Sequence, residues 1–167
     1  LTKDRGEKGF RLSLIQFSRS NPSRQCLNCS FHGNHAELNE EVDWQEKNFM
    51  SSSTYLKPGL TKADTVFHSE SKPSRKSVLI VLTDGILSDA SRLATVRANL
   101  INDNVQIFGV VMRTGASHTS TDLRAEASLK PIVSLPKDDH FMNIMLDEVK
   151  TKILYKFCDA HSQIGKA

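Results

Sequence analysis

Cysteine, histidine and aspartate are the residues whose types and spacing in this chain could do chemistry. Cys26 and Cys29 form a C-x-x-C pair, followed at the same three-residue interval by His32 and His35. All four can ligate zinc, but structural zinc sites separate their ligand pairs by a longer stretch, and four ligands this close strain a tetrahedral cage. The spacing therefore disfavours zinc and leaves a local Cys26–Cys29 disulfide, or free or otherwise paired thiols. A thioredoxin-like redox role is weaker, because the pair does not open a helix after a strand. Asp84 closes an almost wholly apolar run, residues 77–83, and precedes Gly85. It is either a turn aspartate, since Asp-Gly is a common turn pair, or a carboxylate presented at the end of a strand.

Weaker signals surround these. Asn28-Cys29-Ser30 is the only glycosylation sequon, since Pro22 excludes Asn21. Lys72, Arg75 and Lys76 form a short basic cluster, either a solvated loop or a contact for a polyanion such as a glycosaminoglycan. There is no Gly-x-Gly-x-x-Gly and no phosphate-binding Gly-x-x-x-x-Gly-Lys-Ser/Thr, so a nucleotide has no loop to use. No nucleophile elbow is present either. An α/β enzyme with Asp84 as acid or base would lack a partner residue, and no enzymatic activity is expected.

The elements that must position these residues are legible in the hydrophobic pattern. Residues 10–17 alternate and read as a strand covered on at least one face. Residues 77–83 are almost continuously apolar, as in a strand buried on both faces by helices, and residues 104–112 are similar. Between the last two, Leu93, Val96, Ala98, Leu100 and Ile101 mark a helix over residues 88–101, with Ser88 or Asp89 as its N-cap. Strand, helix and strand in that order make a βαβ unit and hence a parallel sheet. Further helices are expected at residues 57–68, with Pro58 tolerated in the first turn, at 121–129 and at 143–157. The less regular stretch 18–53 reads as a hairpin and loops around a short strand at 35–38, with a brief helix at 42–49. Linker-like pieces are residues 69–76 and the tail after Cys158.

Composition bounds the class. The chain has 167 residues with a net charge of +3 and a pI of about 8.8, too weak a basic bias for a nucleic-acid footprint. Hydrophobic residues at 38% and charged residues at 25% give a globular balance, which excludes disorder along the whole length. The longest apolar run has five residues, far short of the roughly 18 that span a membrane. No charged-then-apolar leader opens the sequence, so any secretion signal is expected upstream or already removed. One soluble α/β domain is expected. In a doubly wound sheet, ligands bind beyond the carboxyl ends of the strands, where Asp84 falls.

With that context, the chain resembles the von Willebrand factor A domain, the module also seen as the inserted domain of integrins. Leu12-Ser-Leu-Ile-Gln-Phe-Ser18 looks like the second strand of that family. Ser52-Ser-Ser-Thr-Tyr-Leu-Lys-Pro-Gly-Leu60 is similar to its threonine loop and following helix, and residues 78–89 to its fourth strand with the Thr-Asp-Gly turn. Leu123-Arg-Ala-Glu-Ala-Ser128 and Asp139-His-Phe-Met142 look like segments before its last helix. The resemblance implies a doubly wound, mainly parallel central sheet flanked by helices. It also implies a metal-ion-dependent adhesion site, in which Mg²⁺ or Mn²⁺ takes oxygen ligands in near-octahedral geometry and a ligand carboxylate completes the shell. Carried over by position, the metal residues are Asp84 and the loop Thr54, with Ser53 as a neighbour where the family usually has glycine.

The family's Asp-x-Ser-x-Ser motif follows no apolar run in this sequence. Residues 1–9 read as the end of a first helix, so the first strand and that motif are expected upstream of residue 1, in a longer chain. In the order 3-2-1-4-5-6 that strand is central, and cofactor binding depends on it. Residues 1–158 are expected to form the domain and 159–167 a tail or linker. In extracellular members, a cysteine at the place of Cys158 bridges to one before the first strand; the resemblance thus implies a disulfide there and an oxidising compartment. The expected function is an extracellular or cell-surface adhesion module, of the kind found in matrix proteins and in apicomplexan thrombospondin-related adhesins. Its expected partner is a protein with an acidic residue, or a glycan. The alternative is an intracellular, metal-independent scaffold.

Overall fold

The computed structural model describes residues 11–18, 26, 30–32, 34–48, 53–70, 76–113, 115, 119–145 and 148. Its elements in chain order are α1 (His35–Lys47), α2 (Lys57–Glu70), β1 (Ser77–Thr83), a 3-10 turn (Ala90–Arg92), α3 (Ala94–Asn102), β2 (Val105–Arg113), α4 (Ser120–Leu129), α5 (Lys137–His140) and β3 (Phe141–Met145). The chain divides into two compact units, Leu1–Leu79 with Leu87–Gln106, and Ile80–Ile86 with Ile107–Ala167.

In the first unit, α1 replaces the short strand expected at 35–38 and absorbs the helix expected at 42–49. Asn34 caps it by accepting from the Glu37 N–H at 3.0 Å, and the run that follows is rich in Glu, a good helix former. One cap therefore starts one helix of 13 residues. The strand expected at 10–17 is also corrected. Over 11–18 the described ladder is a single antiparallel bridge, with Leu12 N–H donating to His32 O at 3.2 Å and His32 N–H to Leu12 O at 2.6 Å. Side chains tie this segment to the helices in both directions: Gln45 Nε2 of α1 donates to Leu14 O at 2.8 Å, and Arg11 Nη2 of the segment donates to Glu70 O of α2 at 2.6 Å. Alternation showed where the segment is covered, not what covers it.

Helix α2 buries Leu60, Ala63, Val66 and Phe67, spaced to face one side, and packs on α3, whose Val96 and Leu100 are buried. Gly59 sits where an added Cβ would lie 2.8 Å from Phe17 Cβ, so the absence of a side chain lets the 11–18 segment close on α2. Two effects then oppose each other in Gly59→Ala. Helix propensity favours alanine by about 1 kcal/mol, whereas overpacking against a backbone-near atom costs about 1–3 kcal/mol. The clash wins, and the variant is expected to lower the urea midpoint; a rise in the midpoint would contradict this packing. After α3, Asn104 takes φ 59°, a left-handed turn that asparagine tolerates.

The described sheet has the order β1-β2-β3. β2 and β3 pair in parallel, from Gly109 with Phe141 to Arg113 with Met145. Strands β1 and β2 fall where the pattern placed them, and a parallel sheet with helices between its strands makes the fold α/β. Two expectations are corrected. Val78, Ile80 and Leu82 are 36%, 37% and 39% exposed while Val81 and Thr83 are buried, so β1 is not covered on both faces by the described residues. The helix expected from residue 143 is preceded by β3, because pairing with β2 outweighs the helical spacing of Ile144 and Met145; most of the remaining stretch lies outside the described residues.

Within the second unit, residues 107–111 of β2 are all buried. Thr119 and Asp122 form a reciprocal capping box that starts α4. A Cβ on Gly109 would lie 2.7 Å from Val133 Cγ1 and 3.0 Å from Leu129 Cδ2, so the end of α4 and the loop after it close directly onto the β2 backbone. Ser134 fixes that loop, its N–H donating to Ile107 O at 2.9 Å and its Oγ accepting from Ile107 N–H at 2.8 Å. His140 is buried, with Nδ1 2.9 Å from Pro136 O and its ring tilted on Phe108.

Candidate functional site

Side chains alternate along a strand, and β1 carries that alternation into the turn that follows it. Thr83 points inward and is 3% exposed. Its Oγ1 accepts from Gly85 N–H at 3.2 Å and donates to Gly85 O at 3.1 Å, clamping a tight turn of the kind that threonine hydroxyls hold. Asp84, between the two clamped residues, is exposed. Its carboxylate therefore leaves the sheet at the carboxyl end of β1. Thr83 was not singled out by sequence reasoning, although its place before an Asp-Gly pair is the signal for this clamp.

The threonine loop lies in the first unit. Ser53 is exposed and Thr54 half-buried, and Tyr55 N–H donates to Ser53 O at 3.0 Å. Leu56 occupies the N-cap position of α2, its carbonyl accepting from Leu60 N–H at 2.9 Å, but a leucine side chain cannot cap. The cap comes from 33 residues away. Asp89 Oδ1 accepts from Leu56 N–H at 2.9 Å and Oδ2 from Lys57 N–H at 2.8 Å. Next to it, Ser88 N–H donates to Thr54 O at 2.9 Å. Asp89 is 3% exposed, and a carboxylate at a helix N-terminus also opposes the helix dipole favourably.

This corrects the expectation that Ser88 or Asp89 caps the helix following them. That helix begins at Ala94 after Leu93, with no side-chain cap, and Asp89 serves α2 instead. The sequence held half of the signal: α2 starts without a capping residue of its own, and Pro58 supplies no N–H. Nothing in the sequence said where the acceptor would come from.

Of the other residues singled out, Cys29, Cys158, Asn28, Lys72 and Arg75 lie outside the described residues. Lys76 is exposed just before β1. Cys26 is buried. His32 is buried, with Nε2 3.6 Å from Glu41 Oε2 and Nδ1 4.0 Å from Glu37 Oε2. Both ring nitrogens thus face carboxylates of α1, one of which, Glu41, is fully buried and accepts from Gln45 Nε2 at 2.8 Å. His35 opens α1. Among the described residues, no three His, Cys, Asp or Glu side chains are grouped to hold a metal ion. Asp84, an exposed carboxylate, and Thr54, a half-buried hydroxyl, belong to different units of the chain.

The sequence model of the von Willebrand factor type A domain matches residues 1–152. None of the curated proteins compared with the chain matches it. No helix among the described residues is long and apolar enough to cross a membrane.

Proposed function

Because the chain belongs to the von Willebrand factor type A domain family, we propose that it is an extracellular adhesion module whose partner binds through a Mg²⁺-bridged carboxylate. The observation that carries this reading is Asp84: an exposed carboxylate, held by the Thr83–Gly85 clamp at the carboxyl end of β1, at the position of the family's metal-binding Asp-Gly turn. Thr54 is the second donor and Ser53 its exposed neighbour. Two oxygens are too few to hold an ion that gives up water reluctantly. The rest of the shell falls to waters, to the Asp-x-Ser-x-Ser oxygens that the family places after its first strand, and to an acidic side chain of the partner. The role of the chain is binding, with no catalytic step. A disulfide at Cys26, a cysteine that is buried, would accord with an oxidising compartment.

The test uses the full-length protein and Mn²⁺ as the probe. Calorimetric titration is expected to show one Mn²⁺ site competed by Mg²⁺, and chelator is expected to abolish adhesion to acidic protein or glycan surfaces. Adhesion that persists undiminished in excess chelator would overturn the metal bridge and favour a metal-independent scaffold.

A further inference from the structure

We infer that Asp89 is a positioning residue for the threonine loop, tying it to the chain that follows the Thr-Asp-Gly turn. Three hydrogen bonds make the tie. Both carboxylate oxygens of Asp89 are used, one on the Leu56 N–H and one on the Lys57 N–H, and the adjacent Ser88 N–H holds Thr54 O. Leu56 and Lys57 are the second and third residues after Thr54, so these bonds fix the backbone on one side of Thr54 while the Ser88 bond fixes its own carbonyl. With its backbone held at both points, the Thr54 side chain has little freedom left beyond χ1.

The arrangement has a directional consequence. Ser88 and Asp89 lie four and five residues after Asp84 in sequence. A displacement of Ser88 and Asp89 therefore pulls on the start of α2, and a displacement of the threonine loop pulls on Ser88 and Asp89. Burial makes the tie stiff: Asp89 is 3% and Leu56 2% exposed, so water does not readily replace the protein partners. An unpaired acceptor or donor in such a place is costly, which leaves the loop one low-energy arrangement. The effect of Asp89 on ligand binding rests on the proposed role of Thr54; its hold on the loop does not.

Asp89→Asn separates these levels. The amide keeps one acceptor and turns an NH₂ group toward the other backbone N–H, breaking one bond and opposing it. In the full-length protein, hydrogen exchange at the Leu56, Lys57 and Ser88 amides is expected to speed up at least tenfold, by roughly the weight of one lost hydrogen bond. The Ala63 and Val66 amides, deeper in α2, are expected to keep their wild-type rates. Mn²⁺ affinity is expected to fall about tenfold, as when a partner that orients a ligand is removed. Leu100→Ala, which empties a buried position of α3 outside these bonds, is expected to lower stability and leave Mn²⁺ affinity intact. If Asp89→Asn fails to fold, Asp89→Ser, with one short acceptor, is measured in the same way. Unchanged exchange at Leu56 and Lys57, or equal loss of Mn²⁺ affinity in Leu100→Ala, would overturn the inference. If the wild-type protein binds no Mn²⁺, the metal reading falls alone, and the positioning role is decided by the exchange rates.

Discussion

Asp84→Ala in the full-length protein is expected to weaken Mn²⁺ binding by roughly 100-fold or more, beyond the 10–100-fold loss that follows removal of an outer-shell partner. Adhesion is expected to be lost with it. Asp84 supplies a carboxylate of the proposed donor set, and a hydroxyl such as that of Thr54 cannot replace its charge. Folding should be spared, because the side chain is exposed and the turn is clamped by Thr83 and Gly85 rather than by Asp84 itself. Surface changes of this kind shift stability by about 0.5 kcal/mol or less. Calorimetric titration with Mn²⁺ and a thermal melt on the same sample read both halves. Retained Mn²⁺ affinity would remove Asp84 from the site, and a collapsed melt would mean that the aspartate is structural.

The second large effect is expected in the core of the second unit. Leu129 is fully buried at the end of α4 and meets β2 at Gly109. Leu129→Ala is expected to cost about 2–5 kcal/mol, the transfer term plus the cavity that incomplete relaxation leaves. Gly109→Ala is expected to cost about 1–3 kcal/mol by overpacking, since its Cβ would lie within 3.0 Å of atoms of both Leu129 and Val133. The two changes touch the same space, so they should not add. In the double variant the Gly109 penalty is partly relieved by the emptied leucine site, while the Val133 contact remains. A double-mutant cycle by urea unfolding is expected to give a coupling of roughly 0.5–3 kcal/mol. Additive losses would show that α4 does not close on β2 at this glycine.

Sequence pattern alone determined the parts of this protein governed by local physics. Ser77–Thr83 and Val105–Arg113 are strands, close to the expected 77–83 and 104–112, because β-branched and apolar runs of that length, bounded by Asp-Gly and Asp-Asn turns, have few other ways to bury themselves. Helices α2 and α4 were legible for the same reason, from apolar spacing and, for α2, a proline acceptable in the first turn. The resemblance, carried by the threonine loop and the Thr-Asp-Gly turn, singled out Thr54 and Asp84 as candidate metal residues.

What pattern could not determine were the long-range partners. Residues 35–38 fit a strand as well as a helix until Asn34 is seen to cap them. Residues 11–18 alternate like a strand, yet side-chain donors such as Gln45 and Arg11 reach carbonyls to which periodicity assigns no partner. Phe141–Met145 has spacing compatible with either period, and the open edge of β2 decided for a strand. Asp89 is the clearest case. As a residue type at that position it reads as the cap of the next helix, and its neighbours offer no contrary signal. Only the tertiary structure brings it to a helix start 33 residues earlier whose N–H groups have no local acceptor. Buried donors must be satisfied, but a sequence records the need without recording which distant group meets it.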